Sequence, residues 1–141
     1  MKTTITTIAA AFIMMTSFNS FAAEKANPLK DYNSTSIVTT YLDAATAGSI
    51  DFNKFLFAAD FEYHNTANNV CYDKKAYIGF LKKSKGLKFN CETTYEILDE
   101  SGKACVAKAT MKFPTFTRVD YMTLQHSNDG WKISKVVTTY P

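Results

Sequence analysis

The chain has 141 residues, 46% hydrophobic and 14% aromatic, with 16 basic against 13 acidic side chains and a formal charge of +3. That apolar content excludes a disordered tail, and a small, scattered positive excess excludes nucleic acid as a partner, because a phosphate-tracking surface needs a basic stripe. Three cysteines allow one bridge with a thiol left over, or three free thiols, and two isolated histidines with no Cys-x-x-Cys pair argue against a zinc site.

Residues 1–22 read as a signal peptide. Lys2 gives the positive start, Ile8 to Met15 the apolar core, and Ser20 and Ala22 the small residues at −3 and −1 of a cleavage site. The apolar run is shorter than the about 20 residues of a membrane span. Cleavage after Ala22 is expected to leave residues 23–141 as one periplasmic or secreted domain with no membrane partner, long enough to bury its own core.

After a loose lead-in with Pro28, a helix is predicted from Tyr32 or Asn33 to Ala47, with Ile37, Val38, Tyr41, Leu42 and Ala45 as its apolar stripe and Gly48 as its stop. Ser49 or Asp51 caps a short second helix carrying Phe52, Phe55, Leu56 and Phe57. Phe61 to Asn65 alternates as a strand with Phe61 and Tyr63 on one face; residues 65–69 are turn chemistry and 70–72 a short return strand. Asp73 caps a third helix built on Ala76, Tyr77, Phe80 and Leu81, ending over Lys82 to Gly86.

Four long strands follow, over residues 87–98, 103–113, 116–126 and 130–139, with turns at Ser101-Gly102, at Pro114 and at Asp129-Gly130. One face collects Phe89, Cys91, Tyr95 and Ile97, then Cys105, Ala107, Ala109, Met111 and Phe113, then Trp131, Ile133 and Val137. Lys108, Thr110 and Lys112 take the other. This pattern predicts an α+β fold, with three N-terminal helices packed on a curved, mainly antiparallel sheet around a pocket. A turn near Gly102 sets Cys105 opposite residue 97 or so. Cys91 is then about six residues out of register with it, roughly 20 Å away, beyond disulfide reach. A Cys71–Cys91 bridge stays open.

Two stretches carry a family resemblance. Tyr41-Leu-Asp-Ala-Ala45 with Gly48, followed by Leu56-Phe-Ala-Ala-Asp-Phe-Glu-Tyr63, resembles the entry of the nuclear transport factor 2-like superfamily of cone-shaped folds. Ala104-Cys-Val-Ala-Lys108, Lys112-Phe-Pro114, Asp120-Tyr121 and Gly130-Trp-Lys-Ile-Ser-Lys135 resemble its bacterial, SnoaL-like branch labelled "putative lumazine-binding". The fold hosts isomerases, dehydratases and binding modules alike. Isomerase-like members place a general-base carboxylate at the end of the first strand. Here that position falls on Asn65, which takes no proton.

The ligand-binding candidates are Tyr63, Asn65, Arg118, Asp120 and Tyr41. Arg118 and Asp120 share a strand face, early in a strand that continues with Met122 and Leu124, and an Asp beside an Arg stays ionised. They could meet an anionic or hydrogen-bonding group at the pocket rim, or form a plain ion pair on a half-exposed strand. Tyr63 is either a hydrogen-bonding wall or core, and Asn65 favours the turn. His64 reads as a solvated histidine beside Glu62. No residue is assigned to catalysis, to a metal or to a cofactor. Three functions follow in order: a binding module for a small, partly apolar or aromatic ligand; a homodimer formed through the outer sheet face; and an isomerase or dehydratase using Asp120 with Tyr63 or His64.

Overall fold

In the computed structural model, which describes residues 25–141, the stripe after Asn33 folds as helix α1 (Ser34–Thr46). The signal-peptide expectation lies outside these residues. Asn33 Oδ1 accepts the Ser36 N–H at 2.8 Å and so caps the helix. A one-turn helix α2 (Asn53–Leu56) leads into strand β1 (Phe57–Asn65), and β2 (Val70–Asp73) returns beside it. Asp73 Oδ1 accepts the Ala76 N–H at 2.8 Å, capping α3 (Lys74–Lys82) as the sequence predicts. Strands β3 (Glu92–Ser101), β4 (Ala104–Lys112), β5 (Thr117–Ser127) and β6 (Gly130–Thr139) complete the chain.

The six strands lie in the order β2-β1-β6-β5-β4-β3. Every neighbour pair is antiparallel except β1 with β6. The three helices pack on one face of this sheet, α1 against β3, β4 and β6, α3 against β1 and β2. The α+β architecture with three helices on a mainly antiparallel sheet is the expected one. Among the described residues no helix is long and apolar enough to cross a membrane.

Three local departures have identifiable causes. Phe57 opens β1 instead of closing the second helix, because its backbone pairs with Ile133 of β6. β3 starts at Glu92, not near residue 87, because the preceding segment bonds to the helices: Phe89 N–H donates to Thr46 O at 2.8 Å and Gly86 N–H to Gly48 O at 3.1 Å. Phe89 and Cys91 therefore leave the sheet face expected of them. Tyr95 does face inward opposite Ala109, but on an edge strand it stays 44% exposed.

The third departure reorders a face. Thr123 pairs with Lys135 and Leu124 with Ile133, so Ser134 is an extra residue in β6. A bulge of one residue moves every later side chain to the opposite face. Trp131 and Ile133 point into the core as expected, but beyond the bulge Val136 and Thr138 are buried, and Val137 is not.

The cysteines are all unpaired. Cys105 sits opposite Glu100 rather than residue 97, which takes it further from Cys91 than the sequence suggests. Cys71 on β2 and Cys91 before β3 lie at opposite edges of the sheet, so the bridge between them left open by the sequence is ruled out by distance.

Two glycines fix close approaches. Gly130 has φ 91°, and a Cβ there would lie 2.5 Å from the Lys30 carbonyl oxygen. The β5–β6 turn residues are thus Asn128 and Asp129, with glycine following them. Gly48 has φ 64°, and a Cβ would collide with Ser84 O and Gly86 N, where the ends of α1 and α3 meet. Gly48→Ala combines a strained backbone with a backbone clash. It is expected to lower stability by about 2 kcal/mol or more in urea denaturation; a change below about 0.5 kcal/mol would contradict this packing.

Candidate functional site

The inner face of β5 carries Arg118, Asp120, Met122 and Leu124 in alternation, and α1 lies across it. That crossing brings Tyr41 onto Asp120. The carboxylate is completely buried and accepts four hydrogen bonds: Arg118 Nε and Nη2 at 2.9 and 2.8 Å, Tyr41 Oη at 2.6 Å and Thr138 Oγ1 at 2.6 Å. The Tyr41 and Tyr77 hydroxyl oxygens are 2.9 Å apart. Tyr41 has one proton and gives it to Asp120, so Tyr77 is the donor in that pair. Both Asp120 oxygens and the three hydroxyls all have partners, the condition under which a buried ion pair is tolerated.

The protonation states follow from the same geometry. Burial, then the adjacent Asp120 charge, raise Tyr41 well above the ordinary tyrosine value. Burial likewise pushes Tyr77 up and, to a smaller degree, Tyr63. For Arg118 burial alone acts downward, but the surrounding oxygens of Tyr41 and Asp120 outweigh it and hold the guanidinium protonated.

Arg118 is the one member that reaches open space. Its side chain is 14% exposed, and Nη1 makes no hydrogen bond among the described residues. It lines a cavity of about 360 Å³, whose other walls are Ala45, Phe80, Leu81, Ser84, Phe89, Phe113, Phe116 and Tyr140. These come from the C-terminal ends of α1 and α3, the segment before β3, the β4–β5 loop and the end of β6. Phe113 stacks on Phe116 with centroids 4.5 Å apart and a 12° interplanar angle. Phe89, Phe116 and Tyr140 are 39%, 48% and 43% exposed, an aromatic rim facing solvent rather than a filled core. The cavity can take a flat apolar body and offer one cationic side chain in its wall.

Of the five candidates from sequence, Tyr41, Arg118 and Asp120 are brought together, and only Arg118 lines the cavity. The Arg118–Asp120 pair is deep and bidentate, not a pair on a half-exposed strand. Tyr63 is buried and stacks on Tyr77 at 4.5 Å, one layer behind the network. Asn65 Oδ1 accepts the Ala67 N–H at 2.9 Å, which is the turn role. His64 faces the other side of the sheet, away from Asp120. Thr138 is absent from the sequence candidates because the Ser134 bulge reverses its face; the adjacent polar pair Ser134-Lys135, which breaks the alternation, is the signal that marks it. Phe116 and Tyr140 lie beyond strand ends, where alternation carries no information. Among the described residues no three His, Cys, Asp or Glu side chains converge as a metal site.

Asp120→Ala leaves Arg118 buried without its counter-ion and is expected to lower stability by about 3–5 kcal/mol, read from urea midpoints; a loss under about 1 kcal/mol would contradict the network. The tyrosines add a pH dependence. Below about pH 10 their hydroxyls keep their protons in folded and unfolded chains alike. Above it the unfolded chain releases protons that the folded chain retains, so stability falls as pH rises. Tyr77→Phe should show a shallower fall than the parent above about pH 10; an identical slope would remove Tyr77 from this effect.

A model of the family described as "Putative lumazine-binding" matches residues 31–140. No curated protein matches the chain. Among solved structures, an NTF2-like protein of unknown function from Silicibacter pomeroyi is similar, at 15% identity and a TM-score of 0.64, covering 76% of this chain and 92% of that one. One from Methylobacillus flagellatus shares 17% identity with a TM-score of 0.62, covering 76% and 88%. A cystatin-like fold protein from Burkholderia xenovorans shares 11% identity with a TM-score of 0.61, covering 75% and 87%. At such identities the structures speak to fold alone. With its family match spanning nearly every described residue and its sheet-and-helix architecture, the chain belongs to the family described as "Putative lumazine-binding", on the nuclear transport factor 2-like fold.

Proposed function

We propose that this protein is an exported small-molecule-binding module whose cavity takes a partly apolar, flat aromatic ligand with an acceptor or anionic group directed at Arg118. The observation that carries this is the aromatic cavity of about 360 Å³ with Arg118 in its wall. Asp120, Tyr41 and Thr138 fix the guanidinium in place, so it meets a ligand without losing further side-chain freedom. The family description supports the same class, since lumazine is a bicyclic heteroaromatic with carbonyl acceptors. Occupation of all four acceptor positions of Asp120 favours binding over a proton-transfer role for that carboxylate. Export rests on the leader pattern at residues 1–22.

A second reading, a homodimer through the outer sheet face, is favoured by Val106 and Tyr121, which are 39% and 40% exposed there. Tyr121→Lys would then convert a dimer to a monomer in light scattering, whereas a parent protein that is monomeric at high concentration argues against dimerisation.

The binding reading is tested by titrating lumazine and a panel of aromatic carboxylates into the protein by calorimetry. Phe116→Ala and Tyr140→Ala, both at the exposed rim, should each weaken binding, and Arg118→Met should weaken it by about tenfold or more. Unchanged affinities across all three variants, or no saturable binding by any member of the panel, would count against the cavity as the site.

A further inference from the structure

We propose that Cys71 and His64 form a thiol–disulfide exchange site, on the sheet face opposite the cavity, for small organic disulfides bearing a cationic group. The two residues are direct cross-strand partners on β2 and β1. His64 Nδ1 lies 2.9 Å from Cys71 Sγ, and the thiol is exposed. Both open into a groove of about 610 Å³, also lined by Asp60, Glu62, Asp73 and Lys135. A thiol and an imidazole in hydrogen-bond contact, with room beside the sulfur for a second molecule, have the arrangement of an activated sulfur nucleophile.

The chemistry balances within the pair and its substrate. His64 Nδ1 takes the Cys71 proton as the sulfur attacks one sulfur of R–S–S–R. A Cys71 Sγ–S bond forms as the original S–S bond breaks, and the departing R–S⁻ takes the proton back from the imidazolium. Cys71 is oxidised to a mixed disulfide, and one half of the small disulfide is reduced to R–SH. Glu62, two residues before His64 on the same strand face, lines the same groove. Unlike acyl transfer, which needs donors for a developing oxyanion, exchange keeps its charge on sulfur, so the pair suffices.

The other two thiols are poorly placed for this reaction. Cys105 is 1% exposed, and burial raises both it and Cys91 above the ordinary thiol value. Neither is a resolving partner. From β2 to β4 is four strand spacings, roughly 19 Å, so the mixed disulfide is the end point within one chain. The groove sets the preference among disulfides. Three carboxylates against one lysine attract a cationic reagent and repel an anionic one.

The reduced protein is incubated at low salt with cystamine or with glutathione disulfide and followed by intact mass and peptide mapping. One adduct per chain is expected, on Cys71, forming faster with cystamine. His64→Gln should slow it at least about tenfold, and Cys71→Ser should abolish it. Thermal melts confirm that both surface variants remain folded, and His64→Asn serves as a second test of the base. First modification at Cys91 or Cys105, an unchanged rate in both His64 variants, a Cys71–Cys71 dimer as the sole product, or equal rates for the two reagents would each overturn the proposal.

Discussion

One buried carboxylate ties the structure together. Asp120 lies on the sheet's inner face with its carboxylate completely buried, a state that is sustained only by several well-directed donors at once. Those donors come from β5 itself, from α1 through Tyr41, and from β6 through Thr138. Tyr77 on α3 joins through Tyr41. The two long helices are thus held over the sheet by a polar cluster as well as by the apolar core around it.

The Ser134 bulge completes that cluster. Without the extra residue β6 would present Val137 to Asp120, and the carboxylate would lose a donor at 2.6 Å. The bulge also turns Lys135 to the outer face, where it pairs in register with Glu62 and borders the groove that holds His64 and Cys71. A single backbone irregularity therefore shapes both faces of the sheet.

The two faces present different chemistry. On the inner side, Asp120 is consumed in holding Arg118, and the guanidinium edge that remains is what a ligand would meet among the aromatic walls. On the outer side, a groove bordered by three carboxylates holds a thiol beside an imidazole. The aromatic cavity has the concavity and apolar lining typical of a small-molecule site.

The sequence by itself determined the elements whose signals are local: the cap at Asp73, the stripe of α1, the return hairpin of β1 and β2, and the alternation of β4 and β5 that places Arg118 and Asp120 on one face. These depend on periodicity and on side-chain-to-backbone bonds a few residues apart, so they are legible without knowing the fold. Only the tertiary structure decided which residues meet. Thr138 reached Asp120 through a bulge that breaks the alternation, Phe89 left its expected strand because its backbone bonded to the end of α1, and the cavity walls were gathered from five separated segments. His64 and Cys71, seven residues apart, became partners because a particular hairpin register set them side by side. Such contacts depend on strand register and helix crossing, which are fixed by packing between distant segments and not by the pattern within any one of them.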